Sequence, residues 1–266
     1  MAITTVDGII AGALPPTFFY KALSGTLVAG RPFTPWRIAG IPGAAAAPSS
    51  GINGAALTAV NGQIPFTNPG AGNTYLGRMV ADVTISGVLM LVDRLWENSG
   101  LSVTSTSAQA ITMPTLPARD ADGTSDGRNV LVGLEIVTAT GAGANVPQIT
   151  YTNSAGTTGK TANPILAYAA SSAAGAFYPF AMASDSQGVR AVTSYINTVS
   201  MSSGSISLVA YRVLAQINVG TLSGNAAGPI DLGLPQLFNN TVGQLIFVPS
   251  TTTTSTMLGA LTFTQG

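Results

Sequence analysis

The chain contains no cysteine and no histidine among its 266 residues, and only 8% of them are charged. Each shortage excludes something. Without Cys there is no disulfide framework of the kind small secreted domains rely on. Without Cys or His, the usual nucleophile–base pairs and transition-metal ligands are missing. The ten Lys+Arg balance the ten Asp+Glu, for a formal net charge of zero, whereas about 25% of residues are charged in an ordinary soluble domain. A neutral surface has no long-range field to steer nucleic acid or an acidic membrane toward it, so neither is expected as a partner. The first Lys is Lys21, so no basic region precedes an apolar run as in a secretory signal. The most apolar stretch, VADVTISGVLMLVDRLW (80–96), is broken by Asp82, Asp93 and Arg94 and is too short to span a bilayer. Synthesis and folding in a cytoplasm are expected.

Hydrophobic residues make up 46% of the chain, enough for a large core. The polar surface then falls to hydroxyls and amides, with 55 Ser and Thr in all. Little charge repulsion keeps copies apart, and near-zero net charge favours association. This composition suits a subunit that lives inside an assembly.

The start, TTVDGIIAGALPP, predicts one short helix, with Thr4 or Thr5 as cap, Asp7 at the positive end and Pro15–Pro16 as the stop. Residues 1–73 are dense in Pro, Gly and Ala and carry Phe18, Phe19, Tyr20, Phe33 and Trp36. They read as an extended aromatic arm laid into grooves on its own domain or a neighbour, contributing more to binding than to the fold. From there, 74–266 reads as a β-sandwich domain. Strand patterns occupy 79–92, 129–139, 146–153, 188–199, 205–217, 244–249 and 257–265. GAGAN (141–145) looks like a hairpin turn between two of them, and Val189, Ala191, Thr193 and Tyr195 look like one face of another. Helical turns are conceivable near 91–98 and 164–174. Strands without long helices between them argue for an all-β antiparallel sandwich or jelly roll.

Three stretches imitate functional motifs. SAGTTGKT (154–161) has the Gly-Lys-Thr of a phosphate-binding loop, but Ser154 replaces the first Gly and Pro164 blocks the helix that should follow, so a turn between strands is expected. GAGANV (141–146) and GAGN (70–73) lack the third Gly of a dinucleotide loop. ARDADGTSDGRN (118–129) places Asp120, Asp122 and Asp126 within seven positions. Asp120 and Asp122 fit the first and third positions of an EF-hand. Ser125 stands at the sixth where Gly is needed, and no Glu closes the loop. A looser Ca²⁺ loop stays open as an alternative to the simpler reading, Asx turns neutralised by Arg119 and Arg128. The two glutamates, Glu97 beside Trp96 and Glu135 in a strand, are the carboxylate pair available for glycoside chemistry. Asp93–Arg94 reads as an ion pair at a strand end, and Trp36 and Trp96 as packing anchors. No catalytic residue, cofactor or metal is assigned, and no enzyme activity is expected.

Several segments, IPFTNPGAGNTYLGRM, LMLVDRLWENSGL, ARDADGTSDGRNVLVGLEIVTATGAG and FYPFAMASDSQGVRAVTSY among them, together resemble a group of small β-rich structural proteins of tailed bacteriophages. The resemblance also includes ITYTNSAGTTGKTA and the closing LGLPQLFNNTVGQLIFVPSTTTTSTMLGALTF. It implies a non-enzymatic virion component on the capsid or tail surface. Composition and resemblance together lead to a capsid decoration (cement) protein on the outside of the shell. Its partners would be the major capsid protein and copies of itself, with a trimer favoured. The alternatives are a tail-associated host-recognition module binding a glycan through Trp96 and loop hydroxyls, or a tail-tube or adaptor subunit.

Overall fold

The computed structural model describes residues 3–23, 27–48, 50–221 and 223–266. The chain runs through α1 (Val6–Ala11), β1 (Thr17–Leu23), β2 (Gly40–Ile41), β3 (Ala55–Ala56), β4 (Thr74–Val83), β5 (Gly87–Glu97), β6 (Gln109–Ala110), β7 (Val130–Thr138) and β8 (Gln148–Asn153). It continues through β9 (Lys160–Pro164), β10 (Phe177–Ala181), β11 (Val189–Ile196), β12 (Ser205–Val219), β13 (Asn225–Ala227), α2 (Pro229–Leu232), β14 (Gln236–Leu237), β15 (Gly243–Pro249) and β16 (Ser255–Gln265). The fold is all-β and antiparallel with a short N-terminal helix, as the patterning predicts. Thr5 caps that helix, its Oγ1 accepting from the Gly8 N–H at 3.1 Å. The helix stops at Ala11, ahead of the prolines, because Ala13 bridges to Thr264 of β16.

Two sheets form. The first runs β13-β4-β16-β1-β2 with β14 beside β4; the second runs β15-β5-β12-β7-β10-β9-β8-β11-β6 with β3 beside β5. Side chains alternate across a strand, so the first sheet sends Phe19, Leu23, Met79, Val83, Met257 and Leu261 inward. They meet Leu89, Leu91, Ile217, Leu245 and Phe247 of the second sheet in one core. The second sheet curls so that its far strands enclose another core of Trp96, Val132, Leu134, Tyr151, Tyr178, Tyr195 and Leu208. The long strands β5 and β12 serve both cores, and their mutual register shifts twice, between Ala210 and Tyr211 and between Val213 and Ala215.

Five expectations change. The boundary at 73/74 dissolves. Residues 27–73 hold only the short strands β2 and β3 among turns and loops, while β1 pairs with β16 along seven residues. Phe19, Leu27, Phe33, Trp36 and Ile64 are buried in the chain's own cores. An apolar strand that finds a central place beside β16 is worth more in the sheet than as a free arm. (Residues 1, 2, 24–26 and 49 of that stretch lie outside the described residues.) The run at 79–92 is two strands, β4 and β5, and the chain crosses between sheets at Thr84–Ser86. Gly87 permits the crossing, since a Cβ there would lie 2.3 Å from the Val248 carbonyl oxygen. Residues 91–97 are strand and 164–174 hold no helix, because pairing with β12 and β15 decides the first stretch.

The segment around GAGAN joins strands that do not pair with each other. β7 lies between β12 and β10, and β8 between β9 and β11. Asn145 instead ties this connection to the 197–199 turn, its Oδ1 accepting from Thr198 N at 2.9 Å. Along β11, register shifts against β8 break the expected alternation, so Val192 is buried and Thr193 exposed.

Candidate functional site

The acidic loop is organised by Asp120. Its Oδ1 accepts from the N–H groups of Asp122 and Thr124 at 3.0 and 2.7 Å. Its Oδ2 accepts from Thr124 Oγ1 at 2.7 Å and from the N–H groups of Gly127 and Arg128 at 3.0 and 3.2 Å. Five donors converge on one buried carboxylate. Burial alone would raise the Asp120 pKa; the hydrogen bonds from Thr124, Arg128 and Asp122 outweigh it and hold the carboxyl below its usual value. Gly127 sits at φ +84, where a Cβ would come within 2.1 Å of the Val189 carbonyl oxygen. The other two aspartates point elsewhere: Asp122 pairs with Arg128 at 3.0 Å and Asp126 with Arg190. Among the described residues no cluster of acidic groups is arranged to hold an ion. Arg119 does not serve this loop.

Arg119 instead crosses to Asp93 on β5, with Nε–Oδ2 and Nη2–Oδ1 at 3.0 and 3.1 Å, and donates to the Leu57 carbonyl at 2.9 Å. Asp93 also accepts from Val242 N at 2.9 Å. Asp93 and Arg94 therefore do not form a pair: neighbours in a strand face opposite ways. Arg94 enters a second buried network, reaching Glu97 at 2.5 Å and Glu135 at 2.6 Å, while Arg37 reaches Glu97 at 3.1 Å and Glu135 at 3.3 Å. Gln244 accepts from Arg94, and the Trp36 ring lies 5.2 Å from its guanidinium. Burial by itself would lower the Arg94 pKa; Glu135 and Glu97 outweigh it and raise it above the usual value.

Sequence reasoning foresees an arginine partner for Glu135. It misses the four-residue network, whose members Arg37 and Glu135 are 98 positions apart. The two glutamates that could have formed a hydrolytic pair share one guanidinium nitrogen, and Glu135 is fully buried. Beside Glu97 lies a cavity of about 390 Å³ lined by Ala45, Ala46, Leu57 and Val60.

The remaining motifs also resolve locally. SAGTTGKT is the turn of the β8–β9 hairpin, as expected; Asn153 Oδ1 accepts from Thr157 N at 2.8 Å, and Lys160 pairs with Asp185. Trp96 is fully buried and donates to the Asn53 carbonyl at 3.0 Å; Trp36 is buried too. Both are packing anchors. Lys21 belongs to no sequence motif, yet it is buried and caps three carbonyls, those of Ile38, Pro42 and Gly43, at 2.7, 2.6 and 3.4 Å. Burial lowers its pKa to about 8.

Lys21, Asp93, Arg94, Arg119, Asp120, Glu135 and Arg212 are turned inward, and the surface carries the ion pairs of Asp122, Asp126 and Asp185 together with exposed apolar and hydroxyl groups. Ile10 of α1 is 69% exposed, Phe18 and Ile165 are each 66% exposed, and Ile230 is 92% exposed. The alternation in TFFYKAL could have revealed the outward set Phe18, Tyr20 and Ala22.

No family model and no curated protein matches the chain. Among solved structures, the VP2 subviral particle of infectious bursal disease virus aligns with 98% of this chain and 83% of its own, at 10% identity and a TM-score of 0.20. The structure of the Gt strain of that virus aligns with 95% and 82%, at 11% identity and 0.18. TM-scores this low carry no argument, and the reading of this chain rests on its own residues.

Proposed function

We propose that the chain is a non-enzymatic structural protein of a tailed-bacteriophage virion, a decoration protein that binds the outside of the expanded capsid and holds neighbouring capsomers together. The observation that supports this is where the charge goes. All ten basic residues are described, and nine find an ion-pair, carbonyl or aromatic partner within the chain. The glutamates and most of the aspartates are likewise engaged. Beside its internally paired surface charges, the molecule presents exposed apolar side chains in several separate places, as a subunit with several neighbours would. A standard interface buries about 1,600 Å², and simultaneous engagement of several subunits multiplies weak contacts through avidity. Partners are the major capsid protein and further copies of this chain. The glycan-binding alternative loses its stacking platform, because Trp96 is enclosed in the core.

Co-sedimentation of the purified full chain with expanded empty capsids of the phage that encodes it tests the proposal. Saturable binding that survives about 0.5 M salt is expected, since apolar contacts are not screened as ion pairs are. Binding that vanishes with salt, or no binding to capsids while purified tails are labelled, would overturn it.

A further inference from the structure

The outer face of the first sheet is unusual for a surface. Register places Ala226, Val80, Ala260 and Phe18 in one row across β13, β4, β16 and β1. The next row is Asp82, Leu258, Tyr20 and Ile41. On the other side of the first row stand Arg78 and Thr262. Phe18, Tyr20, Leu258 and Ile41 are all exposed. At about 4.8 Å per strand and 3.4 Å per residue the three rows cover roughly 19 by 14 Å.

Arg78 is the one cation among the described residues with no partner in its own chain, in a protein that pairs its other nine. It is exposed, and it lies on the same face of β4 as Asp82, four residues and about 13 Å away. Among the described residues Asp82 accepts from the Gly224 N–H, at 2.5 Å, and meets no cation. Val80 stands midway between them.

We infer that this face docks a second copy of the chain, across a two-fold axis that lies in the interface and crosses β4 at Val80. An isologous contact sets a patch against itself. Such an axis sends each position on β4 to its mirror about Val80, so Arg78 of each copy meets Asp82 of the other. The apolar row from Ala226 to Phe18 runs along the axis and packs on its own image. Both charged residues lie within about 7 Å of the axis. The roughly 30° between aligned sheets therefore shifts them by only about 3–4 Å, within the reach of an arginine. Two such patches, about 270 Å² each between backbone positions, cover on the order of 500 Å² before rim side chains are added, the size of a weak reversible contact, so the paired charges must supply its specificity. The inference deepens the self-association in the proposed function and commits it to a dimer contact where the sequence favoured a trimer.

Sedimentation of the full chain and its variants is the test. Wild type should dimerise at roughly tens of micromolar, as suits a contact of this size. Arg78→Asp should weaken the dimer at least tenfold, as should Phe18→Ser, with unchanged circular dichroism since both positions are exposed. Arg78→Asp combined with Asp82→Arg should recover most of the loss. The chain lacks cysteine, so Val80→Cys introduces a single thiol. Facing sheets stand about 10 Å apart, too far for a disulfide, so a short bis-maleimide should join two copies at that thiol. A monomer at about 100 µM, a trimer, an assembly indifferent to charge reversal at Arg78, or no cross-link at Val80→Cys would each overturn the inference. Capsid co-sedimentation separates the two ideas: a monomer that still coats capsids sinks the dimer alone, and a dimer that ignores capsids sinks the virion reading alone.

Discussion

Replacing Arg119 with leucine should cost about 3–5 kcal/mol, the usual price of breaking a buried ion pair from one side. Asp93 is completely buried and Arg119 is 2% exposed, so water cannot replace the lost partner. Without the guanidinium, Asp93 keeps the Val242 N–H at 2.9 Å and Thr241 at 3.5 Å, too little to solvate a charge. The Leu57 carbonyl loses its donor as well. Asp93→Asn should be similarly costly, because it strands Arg119. The double variant, Asp93→Asn with Arg119→Leu, should fall short of the sum of the single changes by about 2 kcal/mol or more, since neither charge is then left alone. Asparagine can still accept from Val242. Urea unfolding followed by circular dichroism at pH 7 reads all three, with the slope against urea unchanged if only stability has moved. Single costs below about 1 kcal/mol, or simple additivity, would show that the pair is hydrated and that the ionic interior described above is wrong.

Other outcomes follow from the same geometry. Phe19→Ala should cost about 3–5 kcal/mol by thermal or urea melting, and deletion of residues 1–23 should abolish folding; a soluble truncated protein with a cooperative melt would restore the arm. Chelation of divalent ions should leave the melting temperature unchanged, whereas Asp120→Ala should lower stability by about 2–4 kcal/mol through five orphaned donors. The Asp120 contribution is present above the unfolded carboxyl value, about 3.9, and is lost as pH falls through the depressed folded value. Lys21 has the same sign in an alkaline window. Its folded pKa of about 8 lies below the unfolded value, so folding favours the neutral amine and stability should rise between about pH 8 and 10.5. Lys21→Met should abolish that rise. The limit is about 3 kcal/mol, and the three carbonyls that favour the ammonium keep the gain below it.

Much of the architecture is legible in local pattern. The capped helix, the β8–β9 turn and the strands at 130–138, 205–219, 243–249 and 255–265 follow from spacing and β-branched content. What is not legible depends on partners far along the chain. Thr84–Ile85–Ser86 looks like strand in isolation, and only the opposition of β4 to β16 and β5 to β15 reveals that the chain changes sheets there. TFFYKAL alternates cleanly apart from Lys21, whose burial depends on carbonyls 17 to 22 residues away. Asp93 and Arg94 look paired because they are adjacent, yet strand geometry alone should have sent them to opposite faces. Of the candidate sites, the turn chemistry of Asp120 is readable from Asp-Gly and Thr spacing. The Arg37–Arg94–Glu97–Glu135 network is not, because β5, β7 and the residue 37 segment come together only in the fold.

The number of copies of this chain in each virion bears most directly on the central claim. Quantitative mass spectrometry of purified particles, scaled to the major capsid protein, measures it. A decoration protein on the shell should be present in the hundreds, in a fixed ratio to the major capsid protein, and should be retained when tails are removed. A handful of copies that leave with the tails, or none in the particle, would contradict the account.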